Sequence, residues 1–126
     1  MNPVIPLQLL GGISAEEFLR DYWQKKPLLV RQAIPDFKSP LEPDELAGLA
    51  LEEMIESRIV VEHGGSPWEL RRGPFKEETF KDLPERDWTL LVQAVDQFIP
   101  EVAELLEHFK FLPSWRIDDV MISYAA

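Results

Sequence analysis

The segment that decides the fold is Trp115–Ala126, which reads WRIDDVMISYAA. It has the form of a buried strand, because Val120–Tyr124 is rich in β-branched, aromatic and other apolar residues. The strand continues to Ala126, where the sequence stops. A natural domain seldom ends inside its own sheet, so we expect a truncated sheet whose other strands lie beyond this residue. An apolar strand without its neighbours also favours edge pairing, which predicts a homodimer through the terminal strand.

A first helix is predicted near the N-terminus. The capping box Ser14-Ala15-Glu16-Glu17 marks its start, because a serine hydroxyl at this position accepts a hydrogen bond from the amide three residues on. Apolar residues then recur at helical spacing over residues 18–23. Pro27 would end the helix, and residues 28–31 are expected to follow as a short strand.

Two further helices have clear start signals. Proline and acidic residues crowd the first turn of Pro43–Ala50, as is typical of a helix N-terminus. The other helix begins at Pro100, and its apolar residues form one face. That face consists of Val102, Leu105, Leu106 and Phe109.

The middle of the chain predicts a hairpin. Residues 58–62 and 68–72 alternate in polarity and flank His63-Gly64-Gly65-Ser66-Pro67, which has the composition of a turn. Trp68 is expected to be partly exposed, where an aromatic residue with a polar edge can anchor a partner. The apolar run within Asp87–Val95 fits either a buried strand or a helix start, since periodicity does not separate the two in a short run. We favour a strand over residues 88–92.

Composition indicates a globular chain with an acidic surface. The 126 residues are 45% hydrophobic, and 13 Lys+Arg against 23 Asp+Glu give a formal charge of −10. This charge disfavours direct nucleic-acid binding, which needs clustered cations, and it favours either a basic protein partner or simple solubility. No apolar run is long enough to cross a bilayer, so no membrane association and a cytoplasmic location are expected. The sequence has no cysteine, in agreement with a reducing compartment.

The sequence lacks a self-sufficient set of catalytic residues. Its two histidines, His63 and His108, lie in a turn and near the polar side of a helix, so both are expected to be surface residues. No His-x-Asp pair, phosphate-binding loop or dinucleotide-binding glycine motif is present. We therefore expect no metal ligands and no catalytic residues in this chain.

The acidic pair Asp118-Asp119 needs partners, because it opens a segment that becomes strongly apolar. One interpretation is structural, with the carboxylates bonded to neighbouring amides or to Arg116. The other is functional, with one carboxylate facing a cationic substrate. Both remain open at this point.

Five ordered blocks resemble the bacterial JmjC-type cupin ribosomal oxygenases, which hydroxylate an arginine of a large-subunit ribosomal protein. Together they extend over most of the chain, so chance similarity is a poor explanation. The blocks are Phe18–Arg31, Pro43–Ala50, Gly73-Pro74-Phe75, Trp88–Val95 and Leu112–Tyr124.

The resemblance implies an α+β fold in which N-terminal helices and a hairpin lead to the first strands of a truncated cupin core, the double-stranded β-helix. Residues 1–126 would be a fragment of one domain, with the helical and β region in 1–110 and the first cupin strand in 111–126. The family holds iron(II) through a His-x-Asp pair and a later histidine, and it uses 2-oxoglutarate. These ligands are expected beyond Ala126, so this chain alone should bind no cofactor and be inactive.

The resemblance also implies a pocket wall. Strand alternation places Asp119, Met121 and Ser123 on one face, and the resemblance directs that face toward cofactor and substrate. Asp119 would contact the substrate arginine, while core packing is the alternative role of Met121. The implied partner is a basic ribosomal protein. The competing hypothesis is a complete chain that acts as a non-catalytic acidic protein-interaction module.

Overall fold

The computed structural model describes residues 7–126, which form two compact units. Within these residues, unit 1 comprises Leu7–Ser39 and Glu107–Ile117, and unit 2 comprises Pro40–Leu106 and Asp118–Ala126. The last nine residues, Asp118–Ala126, group with the sheet of unit 2, and the predicted division at residue 110 stays a prediction. The assignment of residues 111–126 to a cupin core stays a prediction.

Unit 1 contains one α-helix, α1 (Ala15–Asp21), and 3-10 turns at Gln8–Leu10, Glu107–Phe109 and Ser114–Arg116. The predicted N-cap is confirmed, since the Ser14 hydroxyl accepts a hydrogen bond from the Glu17 amide at 3.1 Å. Phe18 on this helix stacks with Tyr22 and meets Phe111 edge-on, with ring centroids 5.8 Å apart in the second pair.

The short strand predicted at residues 28–31 is wrong. This segment is irregular, and it pairs with no strand among the described residues. Leu29 is 76% exposed, so the apolar run does not enter a core. An apolar tetrapeptide becomes a strand only where a partner strand supplies hydrogen bonds.

Unit 2 is a four-stranded antiparallel sheet with helices α2 (Pro43–Leu49), α3 (Glu77–Lys81) and α4 (Pro100–Leu106). The strand order is β2-β1-β3-β4. The strands are β1 (Ser57–His63), β2 (Ser66–Arg72), β3 (Trp88–Val92) and β4 (Ile122–Ala125). The α+β class, the helix starts at Pro43 and Pro100, the hairpin and the strand at 88–92 are therefore confirmed.

One face of the sheet forms the core of unit 2. Alternate residues of β1 and β3 point to this face and are buried, among them Ile59 and Val92, both 0% exposed. Leu46 of α2 and Val102 of α4 belong to the same cluster of buried residues. Burial of each such side chain contributes about 1.5 to 3 kcal/mol, which makes this face the main source of stability in the unit.

The predicted apolar face of the helix at Pro100 is only partly correct. Val102 is fully buried, and Leu105 and Leu106 are half-buried. However, α4 ends at Leu106, and Phe109 lies in the following 3-10 turn with 37% exposure. Phe109 therefore does not continue the helical stripe.

The terminal strand is shorter and more exposed than predicted. Only Ile122–Ala125 forms a strand, and it pairs with β3 at the edge of the sheet. The preceding residues are held differently: the Val120 amide donates to the Asp96 carboxylate at 2.9 Å, and its carbonyl accepts from Val95. These bonds tie residue 120 to the loop after β3, so the ladder begins two residues later.

No helix among residues 7–126 is long and apolar enough to cross a membrane.

Candidate functional site

The face of the sheet opposite the core is the candidate functional site, and we call it the open face. The register places Arg58 of β1 directly between Arg72 of β2 and Leu91 of β3, and Leu91 in turn pairs with Ser123 of β4. Cross-strand partners share a face, so these side chains form one row. The strand residues of the open face include Arg58, Val60, Trp68, Leu70, Arg72, Thr89, Leu91, Ser123 and Ala125.

Large apolar side chains are exposed on the open face. Trp68 is 63% exposed and Leu70 is 51% exposed. Both lie on β2, two positions apart, so their side chains point to the same face. The predicted partial exposure of Trp68 is thereby confirmed. The core face of the same sheet is closed by helices, so the open face is where this unit can meet another molecule.

Ser123 and Met121, two of the three predicted pocket residues, lie beside each other on the open-face side. Ser123 is exposed on β4 opposite Leu91. Met121 precedes β4 and is 43% exposed, and its Sδ atom accepts a contact of 3.8 Å from Nη2 of Arg58. Met121 is not among the buried core residues of unit 2, and its role in a pocket or in core packing stays a prediction.

Asp119, the third predicted residue, has a defined partner. Nε2 of Gln93, which directly follows β3, donates to Oδ2 of Asp119 at 2.9 Å. The side chain of Asp119 is half-buried, whereas Asp118 is exposed. Among the described residues, Gln93 is the hydrogen-bond partner of the Asp119 carboxylate, and neither of the expected structural partners takes that role. Oδ1 of Asp119 has no hydrogen-bond partner within residues 7–126, so it is free to accept one.

Three residues of this region were missed by sequence reasoning: Arg58, Arg72 and Gln93. The signal for the two arginines was present, because they occupy matching positions on either side of a predicted hairpin turn. Gln93 gave no such signal, since its contact with Asp119 spans 26 residues of sequence. Only the folded sheet brings that pair together.

His63 ends β1 and is not one of the residues of the open-face row. Nε2 of His63 is 3.3 Å from Oε1 of Glu69, a carboxylate that also accepts from Arg71. These two hydrogen bonds, Arg71 first, lower the pKa of Glu69. His108 lies in an exposed 3-10 turn. Across residues 7–126, no three His, Asp or Glu side chains are grouped so that they could hold a metal ion.

Comparison with known proteins identifies close relatives. The chain is 42% identical over 113 residues to a "Probable ribosomal oxygenase" of Haemophilus influenzae and 44% identical over 109 residues to the "Ribosomal protein uL16 3-hydroxylase" of Escherichia coli. These matches cover 90% and 86% of this chain, and each covers 28% of the relative. No family model matches the chain.

A solved structure shows the same fold in this segment. It is that of the E. coli ribosomal oxygenase YcfD in complex with cobalt and 2-oxoglutarate, with a TM-score of 0.81 and 42% identity over 87% of this chain and 30% of that one. Identity at this level together with the matching fold confirms the resemblance inferred from sequence. Over the segment that it spans, the chain is therefore similar in sequence and in fold to the bacterial ribosomal oxygenases.

Proposed function

We propose that this chain forms part of a cytoplasmic iron(II)- and 2-oxoglutarate-dependent oxygenase that hydroxylates an arginine of a large-subunit ribosomal protein. The observation that carries the proposal is the 44% identity to the E. coli uL16 3-hydroxylase. The cobalt and 2-oxoglutarate in the E. coli structure support the cofactor class. The acidic charge of this chain, −10, agrees with a basic substrate, because opposite charge accelerates encounter.

The iron would be held by residues from the remaining length of such an oxygenase, which this chain does not span. Residues 7–126 offer no group of three ligand side chains, so they do not fit an iron centre. When bound, iron and 2-oxoglutarate would supply the oxidising chemistry. The proposed contribution of this chain is confined to shaping and charging the substrate pocket, and the chain alone is expected to be inactive.

Within that pocket, we assign the substrate-facing wall to Asp119, Met121 and Ser123. Asp119 would accept a hydrogen bond from the guanidinium of the target arginine through its unpartnered Oδ1, a charge-assisted bond of the stronger kind. Gln93 would fix the orientation of the carboxylate by holding Oδ2. The exposed thioether of Met121 and hydroxyl of Ser123 would line the approach.

A chimera tests the proposal directly. This chain would replace the matching segment, 28% of the E. coli uL16 3-hydroxylase, and the product would be assayed with iron(II), 2-oxoglutarate and a uL16 peptide. We expect one added oxygen atom on the peptide by mass spectrometry, and none with this chain alone. A folded but inactive chimera would contradict the proposal and leave the non-catalytic acidic interaction module as the better reading.

The homodimer through the terminal strand also stays a proposal. β4 is an edge strand, and no strand among residues 7–126 pairs with its outer side. Unpaired backbone groups at such an edge favour pairing with another chain. Sedimentation at increasing concentration tests it: a dimer is expected, and a charged Ser123→Lys variant should remain monomeric. A monomer at all concentrations would contradict the idea.

A further inference from the structure

Two arginines face each other on the open face, and no anionic side chain within residues 7–126 pairs with either of them. Arg58 and Arg72 are directly opposite in the β1–β2 register, which brings their Cβ atoms to about 5 Å. Like charges at directly opposed positions destabilise a sheet. The repulsion between two such arginines is offset where an anion lies between their guanidinium groups.

The hydrogen-bonding capacity of these arginines is almost unused. A guanidinium carries five N–H donors, and the contact of Arg58 within residues 7–126 is with the thioether of Met121, a weak acceptor. Arg72 is exposed and forms no ion pair or side-chain hydrogen bond among those residues. By contrast, the neighbouring Arg71 points to the other face and is paired with Glu69.

Apolar surface lies next to the arginine pair. Leu70 is two residues from Arg72 on β2, and Trp68 is two residues further, so all three side chains are on the same face. Their exposure, 51% for Leu70 and 63% for Trp68, leaves a broad apolar patch beside two fixed positive charges. Trp and Arg are the residues that most often anchor protein interfaces.

We propose that this part of the open face binds an acidic polypeptide segment from a partner protein. An Asp or Glu carboxylate would lie between Arg58 and Arg72, and an adjacent apolar side chain would pack on Trp68 and Leu70. The arginine pair defines the occupant, because the two oxygens of one carboxylate can accept hydrogen bonds from both guanidinium groups. A nucleic acid fits poorly, since a phosphate backbone needs a longer cluster of cations than the Arg58–Arg72 pair supplies on this face. The inference stands apart from the proposed hydroxylation, whose substrate is basic.

The test is a binding titration with designed probes. The ¹⁵N-labelled chain would be titrated with a short capped peptide of alternating glutamate and leucine, and with the same peptide carrying glutamine in place of glutamate. We expect the glutamate peptide to shift the Trp68 indole resonance and the glutamine peptide to bind at least about tenfold more weakly, the effect of losing a hydrogen bond to a charged group.

Matched variants locate the site. Arg58→Gln and Arg72→Gln should each weaken binding of the glutamate peptide about tenfold. Arg71→Gln removes the same charge from the opposite face and should leave the affinity unchanged. Arg72→Gln also guards against misfolding of the Arg58 variant, because the Arg72 side chain is exposed.

Four outcomes would overturn the proposal. The first is no binding of the glutamate peptide, and the second is equal binding of the glutamine peptide. The third is stronger binding of single-stranded oligouridylate, which would make the patch a nucleic-acid site. The fourth is concentration-dependent self-association that Arg72→Gln abolishes, which would make a second copy of this chain the occupant.

Discussion

Single side chains set tight limits around Gly73. A Cβ atom on Gly73 would overlap the Ser57 hydroxyl and lie 3.3 Å from the Phe75 ring. The Ser57 hydroxyl is itself buried, and it has no hydrogen-bond partner within residues 7–126. The two residues are therefore coupled. The Ser57 hydroxyl oxygen fills the space beside Gly73 but forms no hydrogen bond there within residues 7–126.

We predict that Gly73→Ala lowers the free energy of unfolding by about 1 to 3 kcal/mol, the usual cost of overpacking. Ser57→Ala should be neutral or slightly stabilising, because it removes an unpartnered buried hydroxyl. In the Ser57→Ala background the cost of Gly73→Ala should fall, since the overlapping atom is gone. Urea denaturation of the four proteins measures the coupling, and additive effects would contradict this account.

Neighbouring charged side chains of the hairpin shift the pKa of Glu69. Hydrogen bonds from Arg71 and His63 lower its pKa below the ordinary value of 4.5. A carboxyl pKa that is lowered in the folded state adds stability at pH values above the ordinary pKa. This stability is lost as the pH falls through the lowered pKa. In an NMR titration, Arg71→Gln should raise the pKa of Glu69, whereas Arg72→Gln should not. Equal effects of the two variants on the pKa of Glu69 would mean that nearby positive charge in general, and not these hydrogen bonds, lowers it.

The candidate site could be predicted only in part from single residues. Asp119, Met121 and Ser123 were placed on one side by simple alternation, and Met121 and Ser123 do lie together on the open-face side. The Gln93 partner of Asp119 and the Arg58–Arg72 pair were not anticipated. Both depend on strand register, which a short alternating pattern does not specify.

At the scale of elements, α1 (Ala15–Asp21) depends on its N-cap. The helix has seven residues, so its unpaired N-terminal amides are a large share of its backbone groups. We predict that Ser14→Ala costs about 1 kcal/mol of stability and that Ser14→Asp, which keeps an acceptor, costs little. Thermal or urea unfolding followed by circular dichroism measures both variants. Equal stability of Ser14→Ala and the parent chain would show that the cap is dispensable.

The elements that were predicted correctly carry local signals. The caps and prolines at Ser14, Pro43 and Pro100 mark helix starts, and the turn composition after residue 62 marks the hairpin. The failures are the segment at 28–31 and the early start of the last strand. In both segments, apolar composition favoured a strand. Residues 28–31 have no partner strand among the described residues, and the Val120 amide donates to Asp96 instead of to a neighbouring strand.

At the scale of the whole molecule, the chain spans 28% of the length of its curated relatives and matches their fold. Its sheet in unit 2 has one face closed by helices, and Met121 and Ser123, two of the three residues proposed for substrate contact, lie on the side of the other face. We therefore expect function to respond to changes on the open face that leave stability unchanged. Changes on the core face should affect both.

The most direct test of this account is the rate of uL16 peptide hydroxylation by the chimera carrying Asp119→Asn. We predict that kcat/KM falls by about tenfold or more, as expected for the loss of a charge-assisted hydrogen bond, while Asp118→Asn, at the exposed neighbouring residue, leaves it unchanged. Unfolding midpoints of the two variants should agree, which separates a substrate contact from a structural role. Equal rates for Asp119→Asn and Asp118→Asn would contradict the assignment of Asp119 to the substrate pocket.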